Sequence, residues 1–217
     1  MSKAEKTAVK VLLFAKAPVA GYCKTRLIPA LGLEATTHLH QKMINHCLAT
    51  LQTMQRRNHK LYSYELWSDD SQHAFIAQAG ATHQIKIQQQ SGTDLGQKMF
   101  NALNTALKTS KKVILIGSDC PEIDSDYIDL AKQKLDSCDV VIGPAIDGGY
   151  VLIAVRKITP EIFNYINWGS DQVLQQTKSQ LQQSSLSWCL LSALTDIDTA
   201  ADLQRLANKP EYDWLRC

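Results

Sequence analysis

Three cations, one glycine and one aliphatic hydroxyl fall within eleven residues near the start of this chain: Lys16-Ala17-Pro18-Val19-Ala20-Gly21-Tyr22-Cys23-Lys24-Thr25-Arg26. Lysine meets phosphate as a point charge, and arginine offers a planar two-pronged donor. Gly21 permits a positive φ or a close backbone approach to a ligand, and Thr25 adds a hydroxyl. Lys16, Gly21, Lys24, Thr25 and Arg26 are therefore candidate phosphate- or nucleotide-binding residues. The bland alternative is a solvated loop, since charge runs usually face water. A P-loop does not fit. That motif requires G-x-x-x-x-G-K-[ST] running directly into a helix. Here the first glycine is absent, two residues separate Gly21 from Lys24-Thr25, and Pro29 and Gly32 delay the helix.

Acidic residues at the ends of apolar runs form the second group. Asp119, in Gly117-Ser118-Asp119-Cys120-Pro121, follows Val113-Ile114-Leu115-Ile116. A carboxylate there can hold Mg²⁺ or Mn²⁺ while the cation bridges phosphate oxygens, because hard cations prefer oxygen ligands. It can equally cap or turn the chain. Asp147-Gly148-Gly149-Tyr150 reads as a hairpin turn. It also offers Asp147 as a ligand or base, two glycines for close approach to a sugar or nucleotide, and Tyr150 for stacking, although an aromatic at a strand start is more often core. Asp94 opens a helix-like stretch, where an N-cap role is expected. Near the C-terminus, Asp198 or Thr199 is expected to cap the last helix, leaving Asp196 facing the sheet edge as a metal ligand. Asp119, Asp196 and Asp198 are the candidate metal ligands, with Asp147 as a further one. Asp119, Asp147 and Lys24 are the candidate catalytic residues. The six histidines are dispersed, the last being His83, and none receives a role.

These residues need elements to position them. Apolar runs at Val11–Ala15, Leu61–Trp67, His83–Ile87, Val113–Gly117, Val140–Gly143, Val151–Val155 and Leu186–Leu191 read as strands. Several are continuously apolar, as for strands buried on both faces of a parallel sheet. Helix-period segments lie between them, at about 33–57, 71–79, 95–109, 125–136, 170–183 and 199–207. The alternation predicts a doubly wound α/β layer fold. Val140 to Val155 departs from it, with two runs joined by Pro144 to Gly149, which predicts a local hairpin. In open α/β sheets ligands sit beyond the carboxyl ends of the strands, where the basic loop and Asp119 fall.

Composition narrows the function classes. The 217 residues carry 23 Lys and Arg against 21 Asp and Glu, a net +2, which supplies no nucleic-acid surface. The chain is expected to form one domain with an ordinary apolar fraction. Cys23, Cys47, Cys120, Cys138, Cys189 and Cys217 form no C-x-x-C pair, so reduced thiols in a cytoplasmic protein are expected. The first apolar run is too short for a signal sequence or a membrane span.

Taken in order, the motifs resemble an uncharacterised bacterial family of glycosyltransferase-like, nucleotide-diphospho-sugar transferase-like proteins. That family shares the glycosyltransferase A fold with the molybdenum-cofactor and phospholactate guanylyltransferases. The matching stretches are Phe14–Pro18 with Gly21 and Lys24–Leu27, Asp94–Gly96, Ile116–Pro121, Gly143–Ala145 with Asp147–Tyr150, Trp168, and Asp196–Thr199. They span about residues 10 to 205 of a single domain. The resemblance implies a three-layer Rossmann-like fold with a mixed, mostly parallel sheet, a nucleotide site at the N-terminal loop, and Mg²⁺ or Mn²⁺ near Asp119. Where classical members carry Asp-x-Asp, this chain has one Asp in Ser118-Asp119-Cys120-Pro121-Glu122. A second metal ligand must come from Asp147, Asp196 or Asp198. Three readings follow: a metal-dependent glycosyltransferase using a nucleotide-sugar donor; a nucleotidyltransferase joining a nucleoside triphosphate to a small phosphorylated acceptor; and a non-catalytic nucleotide-binding protein. A homodimer is left open.

Overall fold

The computed structural model describes residues 7–216. Cys217 lies outside the described residues. Seven strands form one sheet: β1 (Thr7–Ala15), β2 (Tyr62–Ser68), β3 (Lys86–Gln89), β4 (Ser110–Gly117), β5 (Val140–Pro144), β6 (Tyr150–Val155) and β7 (Trp188–Leu190). Their order is β3-β2-β1-β4-β6-β5-β7. β6 alone runs against its neighbours β4 and β5; the pairings β1 with β2, β1 with β4, β2 with β3 and β5 with β7 are parallel. The fold is the expected α/β class with a mixed, mostly parallel sheet.

The continuous apolar runs are explained by burial on both faces. Val9, Val11, Leu13 and Ala15 of β1, with Ile114 and Ile116 of β4, enter one core. Leu12 and Phe14, with Val113 and Leu115, enter the other. The first core is covered by α2 (Leu33–Arg57), α3 (Ala74–His83) and α5 (Ser125–Lys134). The second is covered by α4 (Leu95–Leu107) and α6 (Val173–Gln183). A third cluster packs α7 (Ala200–Ala207) and Leu215 against Leu27, Leu39 and Met43, and so ties the C-terminal segment to the N-terminal loop. α1 is a single turn, Ile28–Leu31, carrying Pro29 and ended by Gly32 at φ 80°.

The strand expected from His83 starts three residues later. His83 closes α3 instead of opening a strand, and the left-handed Gln84 (φ 51°) then turns the chain, so that β3 begins at Lys86. The last helix is capped by Thr199, whose hydroxyl accepts from the Asp202 amide while the Asp202 carboxylate accepts from the Thr199 amide. This capping box leaves the Asp198 side chain uninvolved in the cap. No helix among the described residues is long and apolar enough to cross a membrane.

Candidate active site

A cleft of about 560 Å³ opens beyond the carboxyl ends of β1 and β4. Its floor is the chain leaving β4. The Ser118 amide donates to the Phe14 carbonyl at 3.1 Å, which registers this exit against β1. The Asp119 carbonyl accepts from the Ile197 amide at 2.9 Å, which draws the strand-like segment before α7 alongside it. One step further, the Leu194 amide donates to the Pro144 carbonyl and the Ile146 amide to the Leu194 carbonyl, both at 3.0 Å. Three sequence-distant pieces are thus stitched edge to edge, and this brings Asp119, Asp147, Asp196 and Asp198 into one neighbourhood.

The basic loop closes over them. Gly21 turns at φ 84°, and Lys24 takes the left-handed conformation (φ 50°, ψ 40°). That geometry is costly for a residue with a side chain and persists only where its surroundings hold it. Here the holding groups are visible. The Lys24 Nζ donates to Asp198 Oδ1 at 2.8 Å and lies 3.0 Å from Asp119 Oδ2; its side chain is 5% exposed. Arg26 Nη1 donates to Asp198 Oδ2 at 3.1 Å from a largely exposed position. Burial alone would push the Lys24 ammonium toward the neutral form, but the two carboxylates outweigh it and hold its pKa above the usual lysine value. Burial likewise raises the Asp119 carboxyl, and Lys24 with His40 more than offsets this, so Asp119 lies below the ordinary carboxylate range. Its side chain remains open to the cleft, at 43% exposure.

Asp147, Asp196 and Asp198 each present a carboxylate oxygen within 4.8 Å of the others. Crowding is felt at Asp196. Burial, then Asp147, then Asp198 push the Asp196 carboxyl up to about 6. Three hard oxygen donors with excess negative charge suit a divalent cation of the Mg²⁺ or Mn²⁺ type. Asp119 is not one of this trio; its carboxylate, like that of Asp198, pairs with Lys24. Asp147 is held in place by its own turn, the Gly149 amide donating to its Oδ1 at 2.9 Å. Gly148 (φ 93°) has no room for a side chain, because a Cβ would sit 2.1 Å from the Asp171 carbonyl oxygen.

Of the candidate residues, Lys16, Lys24, Thr25, Arg26, Asp94, Asp119, Tyr150 and Asp198 line the cleft. Gly21, Asp147, Gly148, Gly149 and Asp196 are not among its lining residues. Asp94 caps α4, its Oδ1 accepting from the Gln97 amide at 2.8 Å, and also faces the cavity. Tyr150 belongs both to the core and to the wall. Other residues line the cleft as well, His40, Asp69 and Gln90 among them. His40 is buried in α2, and its Nε2 lies 3.0 Å from the Lys16 carbonyl. The bond requires a proton on Nε2, and burial lowers the ring's pKa, so the neutral form is favoured. Asp69 follows β2 and accepts from the Ala17 amide at 2.7 Å. Gln90 follows β3 and donates to the Trp67 carbonyl at 3.0 Å. The signal for Asp69 and Gln90 was positional, since each follows a strand end at the ligand edge.

The chain has the fold of known nucleotide-handling enzymes. It superposes with a TM-score of 0.84 on a protein of Desulfovibrio desulfuricans G20 assigned provisionally as a nucleotide-diphospho-sugar transferase. The two share 28% identity over 97% of this chain and 94% of the other. A cytidylyltransferase from Leptospira borgpetersenii serovar Hardjo-bovis (strain JB197) gives 0.62 at 15% identity, covering 95% and 87%. The 4-diphosphocytidyl-2C-methyl-D-erythritol synthase of Anaerococcus prevotii DSM 20548 gives 0.59 at 12%, covering 90% and 94%. These last two likenesses are of fold. No curated protein matches the chain. Residues 48–170, more than half of the chain, match the model of a family described as an uncharacterized protein conserved in bacteria (DUF2064), and the chain belongs to that family.

Proposed function

We propose that this chain is a metal-dependent transferase that takes a nucleotide-activated donor, with a nucleotide sugar as the preferred class. The observation that carries the reading is the buried Lys24 ammonium, set between Asp119 and Asp198 at the floor of the strand-end cleft. A cation held there is aimed, charged at neutral pH, and shielded from bulk water, so it acts on phosphate more strongly than a surface lysine would. The likeness to the Desulfovibrio protein, at 28% identity over nearly the whole of both chains, supports the same reading.

Each residue then has a task. Lys24 and Arg26 neutralise the donor's phosphate oxygens, and Lys16 faces the same space. Asp119 orients Lys24 and keeps it protonated. Asp147, Asp196 and Asp198 would hold Mg²⁺ or Mn²⁺, which when bound supplies charge stabilisation for the departing phosphate. Asp147 is the most exposed of the three, and with one oxygen fixed by Gly149 its second oxygen is left for a ligand or an acceptor hydroxyl. Gly21 and Thr25 shape the loop that surrounds the phosphates, and His40 fixes its first residue through the Lys16 carbonyl.

Nucleotidyl transfer is a second reading, favoured by the three cations of the loop, which suit a triphosphate. One pair of assays separates the two. Hydrolysis of nucleotide sugars with Mn²⁺, abolished in Asp119→Asn, supports glycosyl transfer. Release of pyrophosphate from nucleoside triphosphates, without activity on nucleotide sugars, supports nucleotidyl transfer. Inactivity in both, with metal-independent nucleotide binding, would leave a binding protein.

A further inference from the structure

A second, smaller cavity of about 190 Å³ adjoins the cleft, and Asp94 lines both. The two are linked again through a ring contact. Tyr150 lines the large cleft and meets Trp168 of the small one edge-on, with centroids 6.4 Å apart. The chemistry of the small cavity differs from that of its neighbour. Phe100, Phe163, Tyr165 and Trp168 line it with rings, while Asp94, Gln97 and Asn164 supply a carboxylate and two amides. No lysine or arginine lines it.

The aromatic wall is closed by design of the local chain. Gly96 sits where a Cβ would come within 2.8 Å of the Trp168 ring and 3.0 Å of Phe163, so only glycine lets α4 approach these rings. The loop carrying the rings is tied down. The Asn167 amide donates to Gln176 Oε1 at 2.7 Å, and Ser170 Oγ donates to the Asn167 carbonyl at 2.7 Å. In this loop Tyr165 is 90% exposed and left-handed, at φ 59°. A bulky residue in that conformation is uncommon, and strained positions gather at ligand clamps. A ring presented to solvent on a fixed loop can receive the face of a ligand.

Aromatic faces bordered by amide and carboxylate groups fit a molecule with one apolar face and polar edges. A sugar ring has that character: its C–H groups lie against an aromatic plane and its hydroxyls bond to amides and carboxylates. We infer that this cavity is the subsite for the acceptor, and that the acceptor carries a sugar ring. The assignment rests on the transferase reading for the word acceptor, but the sugar site itself can be tested without it.

The test uses ¹H–¹⁵N spectra of the full chain, with the Trp168 indole N–H assigned by its loss in Trp168→Phe. Titration with glucose is expected to shift that signal saturably, and Tyr165→Ala to weaken the effect about tenfold, the order expected for losing one aromatic face. Tyr165 is exposed, so this variant should keep its fold, and an unchanged backbone spectrum checks it. No saturable shift with glucose or ribose up to the solubility limit overturns the inference, as does binding unaffected by both Tyr165→Ala and Asn164→Ala. A nucleoside diphosphate with Mn²⁺, added separately, reads the amides of Lys24 to Arg26. A sugar response without a nucleotide response keeps the sugar site and sinks the donor reading; the converse sinks the sugar site alone.

Discussion

The electrostatics of single residues make the first predictions. Asp196 has its carboxyl raised to about 6 by burial and by Asp147 and Asp198. Its folded-state value is above the unfolded one, so the folded chain holds this proton more tightly. Stability from this group is therefore present below pH about 4 and lost as pH rises through about 6. Asp196→Asn without metal should consequently be more stable than the parent at pH 7.5, with the gap closing by pH 4, as read by thermal denaturation. With metal the sign inverts, because ligation requires the deprotonated carboxylate. Mn²⁺ affinity, measured by calorimetry, should fall as pH drops below about 6, and Asp196→Asn should bind weakly at every pH. Lys24 makes a different prediction. Lys24→Met keeps the bulk of the buried stem, removes the charge, and should lower kcat/KM about 100-fold or more, on the scale of losing an aimed transition-state donor. A loss under threefold on the true substrate would place the phosphate elsewhere.

Elements decide where such residues stand, and here the sequence was most legible. The helix at Leu33–Arg57 and the strand ends at Ala15 and Gly117 follow from apolar period and burial on both faces. The β5–β6 hairpin follows from Asp-Gly-Gly between two apolar runs. What no local pattern encodes is which strand-end carboxylates meet. The partnership of Asp119 with Lys24, and of Asp147 with Asp196 and Asp198, depends on the backbone bonds from Ile197 to Asp119 and from Leu194 to Pro144. His40 was readable in retrospect, since it shares the α2 face of Met43, Ile44 and Cys47. A polar residue on an apolar helical stripe signals a buried partner. The hairpin yields its own prediction. Gly148 combines φ 93° with a missing Cβ that would otherwise strike the Asp171 carbonyl, and the Leu174 amide donates to its carbonyl at 2.8 Å. Gly148→Ala should therefore destabilise by about 2–4 kcal/mol, lowering the melting temperature by roughly 4–16 °C. Mn²⁺ affinity should fall with it, because Asp147 rides on the same turn. A variant as stable as the parent would show that the turn relaxes freely.

On the scale of the whole molecule, the site joins the two ends of the chain, since Lys24 and Asp198 are 174 positions apart. Both oxygens of Asp198 are occupied by cations of the basic loop: Oδ1 by Lys24 and Oδ2 by Arg26. A metal arriving alone must compete with these two side chains for Asp198. A phosphate arriving alone must draw them from Asp198 and leave that carboxylate facing Asp147 and Asp196 without compensation. Arriving together, the two ligands exchange partners so that Lys24, Arg26 and Asp198 each regain an opposite charge, the phosphates taking Lys24 and Arg26 and the cation taking the carboxylates. The two binding steps should then be coupled, and linkage requires the coupling to be reciprocal. Pyrophosphate and Mn²⁺ also associate directly, so the informative quantity is the change made by Arg26→Ala. That variant should bind Mn²⁺ alone several-fold more tightly than the parent, because a competitor for Asp198 is gone. It should bind pyrophosphate more weakly, and its coupling should shrink by roughly the same factor as the gain for Mn²⁺ alone. Arg26 is exposed, which makes it the safer of the two cations to remove and confines the effect to the ion pair. Calorimetric titrations of each ligand, with and without the other, measure all four affinities of the cycle. If Arg26→Ala leaves the affinity for Mn²⁺ alone unchanged, Asp198 does not choose between the loop and the metal, and the exchange of partners is wrong.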